Sequence, residues 1–378
     1  MSLDRAMCGP GASRRCPAAP LPSPGMQAAS TNGATAVIAD AIADAGGAIP
    51  FSEFQRLALY GPGGFYDGEG RAGRRGDFIT SPEVGPLFGA VVARWIDAQW
   101  RALGTPDPFT VIEAGAGPGT LARSILAAAP ACAAALRYVA VEVSSSQRAL
   151  HPDGVESVAA LPDGRVDGVV IANELLDNLP IRLVVFDGAW REAFVALSAG
   201  TGADAGPAFV EVLSAPLDPV PTVLPAHPTH GARAPLQDDA RAWIDSARQL
   251  IRGSVLAIDY ARSTTAELAL LPWRDWLRTY RGHDRGGHYL AQPGSQDITS
   301  DVAVDQLPEP DVVRTQSQFL QLHGIDDLVA EGRAEWQADA ATGGLAALRM
   351  RSRVREAEAL LDPAGLGGFL VLEWSSHR

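Results

Sequence analysis

Short continuous apolar runs recur along the middle of this chain, and between them apolar positions return every three or four residues. The runs are the pattern of strands buried on both faces, and the three-to-four spacing is that of helices covering them. Strands are expected at Val111-Ile112-Glu113-Ala114, at Tyr138-Val139-Ala140-Val141-Glu142, over 166–172 and at Ser254-Val255-Leu256-Ala257-Ile258. Helices are expected over 34–45, 51–60, 86–103, 121–129 and 238–251, the last stopped by Gly253. Residues 184–186 and 192–197 read as a hairpin, 216–235 as a proline-rich loop, and Cys132 as part of an alanine-rich helical stretch. Near the end, 331–361 reads as one long helical region and Phe369-Leu370-Val371-Leu372-Glu373-Trp374 as a last strand. Strands alternating with helices imply an α/β fold with a mostly parallel sheet. Residues 1–33 are rich in Pro, Gly, Ser and Ala without a hydrophobic period, so a disordered tail is expected there. The remainder, 34–378, is expected as a single domain: a helical cap over 34–110, a cofactor-binding core over 111–262, and loops, helices and a last strand over 263–378.

The first strand opens directly into Gly115-Ala116-Gly117-Pro118-Gly119, and a helix follows. A strand, a glycine turn and a helix start hold nucleotide-like cofactors at the carboxyl edge of a parallel sheet. A dinucleotide fingerprint needs its third glycine at the sixth position, where this chain has Thr120. Glycines at alternate positions suit S-adenosylmethionine (SAM) better, because its methionine moiety carries no pyrophosphate. Glu142 closes the next strand roughly twenty residues past the loop, where an acid accepts ribose hydroxyls. Loop and acid together favour an adenosine-containing ligand.

Composition narrows the chemistry. A formal net charge of -13 opposes a nucleic-acid substrate. The chain has no lysine, which removes P-loop, pyridoxal Schiff-base and kinase mechanisms. Cys8, Cys16 and Cys132 form no CxxC pair and no ligand spacing with the histidines, so no metal site is expected and a reducing, cytoplasmic compartment is. No apolar run reaches the roughly eighteen residues of a membrane span.

Three clusters remain as candidate chemistry. The first, Asn173-Glu174-Leu175-Leu176-Asp177-Asn178-Leu179-Pro180, follows a buried strand and should emerge beside the glycine loop, where Glu174 and Asp177 could grip a cation. An acidic helix start is the simpler explanation of the same residues. In the second, Gly76-Asp77-Phe78-Ile79-Thr80-Ser81-Pro82-Glu83, a helix cap accounts for Thr80 to Glu83 but not for the preceding residues. The third runs over 280–298 and holds His283, His288, Gln296 and Asp297 in a glycine-punctuated loop whose spacing fits polar contacts better than metal ligation.

These segments resemble the MidA family of SAM-dependent methyltransferases. The resemblance rests on Tyr60-Gly61-Pro62 with Gly64-Phe65-Tyr66, on the three blocks around Asp77, the glycine loop and Glu174, and on Ile258-Asp259-Tyr260, Pro293-Gly294-Ser295-Gln296-Asp297-Ile298-Thr299 and Gln316-Ser317-Gln318-Phe319-Leu320, all in order. The family often has an arginine where Pro118 stands and aromatic or small residues where Leu175-Leu176 stand. The resemblance implies a class I methyltransferase (Rossmann-like) sheet with an antiparallel final strand, an N-terminal helical cap and a C-terminal helical insertion. It further implies a protein arginine acceptor, in mitochondrial members a subunit of respiratory complex I. Asp77, Thr80, Glu113 and Asn173 are then expected around the cofactor with Gly115, Gly117, Gly119 and Glu142. Glu174 and Asp177 are expected to be catalytic, and Asp259, Tyr260, Gln296 and Asp297 to bind the acceptor. A small-molecule methyltransferase and a non-catalytic assembly chaperone that retains SAM remain as alternatives.

Overall fold

The structure is a computed structural model that describes residues 28–67, 80–198, 208–281, 284–339 and 345–376. At its centre is a seven-stranded sheet: β1 (Phe109–Ala114), β2 (Leu136–Val141), β3 (Val155–Val158), β4 (Val166–Asn173), β5 (Ile251–Asp259), β6 (Val312–Thr315) and β7 (Leu370–Ser376). Their spatial order is β6-β7-β5-β4-β1-β2-β3. The strands from β5 through β3 are parallel, whereas β7 runs antiparallel to both β5 and β6. The chain leaves β1 in one direction towards β3 and returns to its other side with β4. That reversal between β1 and β4 is where ligands bind in open α/β sheets.

The apolar runs are continuous because both faces of the sheet are covered. Val111, Val169, Ile171 and Leu256 pack against Phe88, Val91 and Trp95 of the helix Pro86–Ala102 and against the C-terminal helices. Their neighbours Ile112, Val170, Val255 and Ala257 point the other way, against Ala240, Ile244 and Ala247 of Asp238–Leu250. A separate core joins helices Ala28–Asp44 and Phe51–Tyr60 to a five-stranded sheet formed by Ala48–Pro50, Arg182–Phe186, Trp190–Leu197, Phe209–Pro216 and Arg233–Leu236. The hairpin over 184–197 belongs to that sheet, and the proline-rich stretch after it carries strand at both ends.

Several expectations change. The first helix starts at Ala28 rather than 34, and the rest of the expected tail, 1–27, lies outside the described residues. Gly253 does not stop a helix but stands within β5 at φ 150°, paired with Gly168. A Cβ there would lie 1.8 Å from the Gly168 carbonyl oxygen, so close approach of two strands explains the glycine. The long helical region is two helices, Ile325–Asp339 and Leu345–Leu361, and the last strand is flanked outside by β6. Cys132 sits buried in a turn, its backbone N–H donating to Asp97, rather than in a helix.

Candidate functional site

The glycine loop leaves β1 with Gly115, Gly117 and Gly119 all at positive φ. Glu142, just past β2, closes the loop from the side: its carboxylate accepts the Gly117 N–H at 2.9 Å and the Ser144 N–H at 2.8 Å. At Gly117, φ is 53° and a Cβ would stand 3.2 Å from Gln147 Oε1, so only glycine leaves the backbone open to a ligand. Gly119 turns the chain into the helix Thr120–Ala127 and packs on His151 and Pro152, off the cavity. Glu113 lies on the cavity floor and accepts the Tyr138 hydroxyl at 2.6 Å. Burial pushes its carboxyl up to about 7, against the opposing hydrogen bond from Tyr138.

The cavity above this edge has a volume of about 1050 Å³, at the top of the roughly 300–1,000 Å³ usual for small-molecule sites. That leaves room for a cofactor and an acceptor side chain together. Among the described residues, Gln147 Oε1, Asn173 Oδ1, Asp177 Oδ1 and Thr299 Oγ1 are buried polar atoms of lining residues with no protein partner. An unpaired buried polar atom costs about 1–3 kcal/mol. Gln147 and Asn173 line the cavity together with the loop and Glu142.

Beyond the loop the lining turns acidic. Glu174 follows β4 at φ 51°, in the left-handed region, held there by its N–H on the Ile258 carbonyl at 2.8 Å. A non-glycine residue in that conformation marks a constrained, often functional position. Burial, and then the Asp177 charge, push the Glu174 carboxyl up to about 8, although the Asn173 amide and the Ser81 N–H oppose this. Asp177, in the turn Leu176–Asn178, is also raised by burial, with Arg278 opposing. Asp297 lines the same compartment together with Tyr60, Tyr66, Tyr260 and Tyr280.

Two residues expected on the acceptor side stand off the lining. Asp259 accepts the N–H groups of Leu176 at 2.9 Å, Asp177 at 3.2 Å and Tyr260 at 2.9 Å, so its carboxylate is spent on fixing the turn that carries Asp177. Gln296 donates to the His288 and Ala291 carbonyls and shapes the loop before Asp297. Thr80 lines the cavity at the start of Ser81–Val84, whereas Asp77 and His283 lie outside the described residues. Gln147, Thr299, Tyr60 and Tyr66 also line the cavity; of these, Tyr60, Tyr66 and Thr299 stand in the motifs that carry the resemblance, whereas no sequence motif marks Gln147. Among the described residues, no group of three or more His, Cys, Asp or Glu could hold a metal ion, and no helix is long and apolar enough to cross a membrane.

The family model described as "Putative S-adenosyl-L-methionine-dependent methyltransferase" matches residues 91–323. A crystal structure from Burkholderia thailandensis with S-adenosyl-homocysteine bound aligns with a TM-score of 0.77 at 30% identity, over 94% of this chain and 95% of that one. The mitochondrial protein arginine methyltransferase NDUFAF7 homolog of Drosophila melanogaster is 29% identical over 68% of this chain and 65% of its own length. NDUFAF7 of Mus musculus is 26% identical over 69% of this chain and 66% of its own length. The chain thus spans just under two thirds of these two relatives. The sheet is that of a class I methyltransferase, the cofactor is SAM, and the chain belongs to the MidA family of SAM-dependent methyltransferases.

Proposed function

We propose that this protein methylates an arginine side chain in a protein acceptor. The observation that carries the reading is the pairing of Glu174 and Asp177 inside the cavity, both raised by burial, beside the glycine loop. A carboxylate pair in that state favours a bound cation, which would return both groups to their ordinary range. The relatives named as protein arginine methyltransferases support the same acceptor.

When bound, SAM supplies an electrophilic methyl group on a positive sulfur. Backbone at Gly115 and Gly117, with Glu142 and Gln147, would hold the cofactor, and Asn173 would meet it from the end of β4. Glu174 and Asp177 hold the guanidinium, which stays charged because its pKa is above about 12. Bidentate carboxylate contacts fix its plane, leave one terminal nitrogen facing the donor, and put an acceptor beside the proton which that nitrogen gives up.

The test is incubation of the full chain with methyl-labelled SAM and a lysate of its own host, followed by acid hydrolysis of the labelled protein. Label in methylarginine is expected. Label confined to small molecules, or to other amino acids, would overturn the reading.

A further inference from the structure

A small sheet of Leu277–Arg281, Asp284–Arg285 and Asp297–Ser300 borders the acidic compartment, and its register sets which side chains share its face. Tyr280 stands opposite Asp297 and Arg278 opposite Thr299. Because side chains alternate along a strand, these four share one face. Tyr280, Asp297 and Thr299 line the cavity. Arg278 stays behind them, held by Asp301 and the Asp275 carbonyl, with its guanidinium 4.8 Å from the centre of the Tyr260 ring.

A second wall comes from the N-terminal cap. The Tyr60 and Tyr66 rings stack with centroids 5.4 Å apart and planes 16° from parallel. Their hydroxyls are anchored: Tyr60 donates to the Asn178 carbonyl at 3.2 Å, and Tyr66 lies 2.7 Å from Asn178 Oδ1 and 3.2 Å from Asp297 Oδ2. Burial and the neighbouring Asp297 charge keep both phenols well above their ordinary value and therefore neutral. Asp177 and Thr299, both on the lining, are 3% and 4% exposed, and each has a buried oxygen without a protein partner. The compartment thus combines fixed aromatic rings with acceptors that need several N–H donors. A planar guanidinium can lie flat on a ring and keep its five N–H donors directed outward in its plane, whereas a compact ammonium has three donors and no flat face to stack.

We infer that Tyr66, backed by Tyr60, and Asp297 form the wall that selects a guanidinium over an ammonium in the acceptor. The inference rests on the arginine reading above and adds to it the residues that set specificity. Asp297 supplies charge at the edge of the plane, and the Tyr66 hydroxyl fixes both that carboxylate and its own ring.

The test uses the full chain saturated with S-adenosyl-homocysteine, titrated with N-acetylarginine amide and with N-acetyllysine amide. Wild type should bind the arginine probe at least tenfold more tightly than the lysine probe. Tyr66→Phe and Asp297→Asn should each cut that preference at least fivefold while S-adenosyl-homocysteine affinity stays within threefold. The preference is a ratio that general damage to the cavity would not shift. If Asp297→Asn loses the cofactor product, Tyr66→Phe, which keeps the ring, decides. An unchanged preference in the variants overturns the selecting wall and leaves the arginine reading standing. Equal binding of the two probes by wild type, or binding of neither, overturns both.

Discussion

Replacing Glu174 by glutamine should remove much of the loss of stability that the protein undergoes as pH rises. In an unfolded chain this carboxyl titrates at 4.5, and in the fold at about 8, because burial and Asp177 oppose its charge. Asp259 and Glu83 add to that opposition, while the Asn173 amide and the Ser81 N–H favour the charged form. Between the two values the folded state keeps a proton that the unfolded state has released. The contribution is therefore complete below 4.5 and is lost as pH climbs towards 8. Each pH unit is worth up to about 1.4 kcal/mol. Between pH 5.5 and 8 the ceiling is roughly 3.5 kcal/mol, and solvent reaching the part-exposed side chain lowers the expectation to about 2 kcal/mol. Urea denaturation of wild type and Glu174→Gln across that range measures it. The difference between the two curves should widen by about 2 kcal/mol in the variant's favour from pH 5.5 to pH 8, the variant keeping a smaller slope from Glu113 and Asp177. Parallel curves would refute the claim that Glu174 is held against its own charge.

Gly117→Val, at φ 53° with a Cβ 3.2 Å from Gln147 Oε1, should abolish S-adenosyl-homocysteine binding in calorimetry while the unfolding transition persists. Asp259→Ala strips three backbone N–H groups of their acceptor; a loss of about 3 kcal/mol in denaturant stability is expected, and turnover should fall more than cofactor affinity. A chain beginning at Ala34 lacks the first six residues of the helix Ala28–Asp44, including Gly33, which packs on Gly63. It should melt about 1–3 °C below one beginning at Ala28, and equal melting would show those residues to be idle.

The cofactor end of the site was legible because it is local. A buried strand, alternate glycines and an acid at the end of the next strand are all written within 34 residues, counting 109–142, and the sheet brings them together as their order implies. The acceptor end depends on contacts that no local pattern encodes. Tyr66 reaches Asn178 across 112 positions, and Asp259 reaches Leu176 across 83. The motif containing Asp259 was visible, yet whether that carboxylate faces a ligand or three backbone N–H groups is decided by tertiary packing. Gly253 misled because a glycine after an amphipathic run ends helices far more often than it lets two strands touch. The helix start was missed because the residues before 34 are small or polar and carry no hydrophobic period.

The division of labour between a glycine-loop cofactor edge and a carboxylate acceptor grip is tested most directly by Glu174→Gln, assayed for S-adenosyl-homocysteine affinity and for methylarginine formation in the same preparation. Affinity should stay within threefold of wild type while turnover falls ten- to a thousandfold, about 1.4 to 4 kcal/mol of transition-state stabilisation. Loss of S-adenosyl-homocysteine binding would assign the carboxylate to the cofactor, and full activity would contradict the grip.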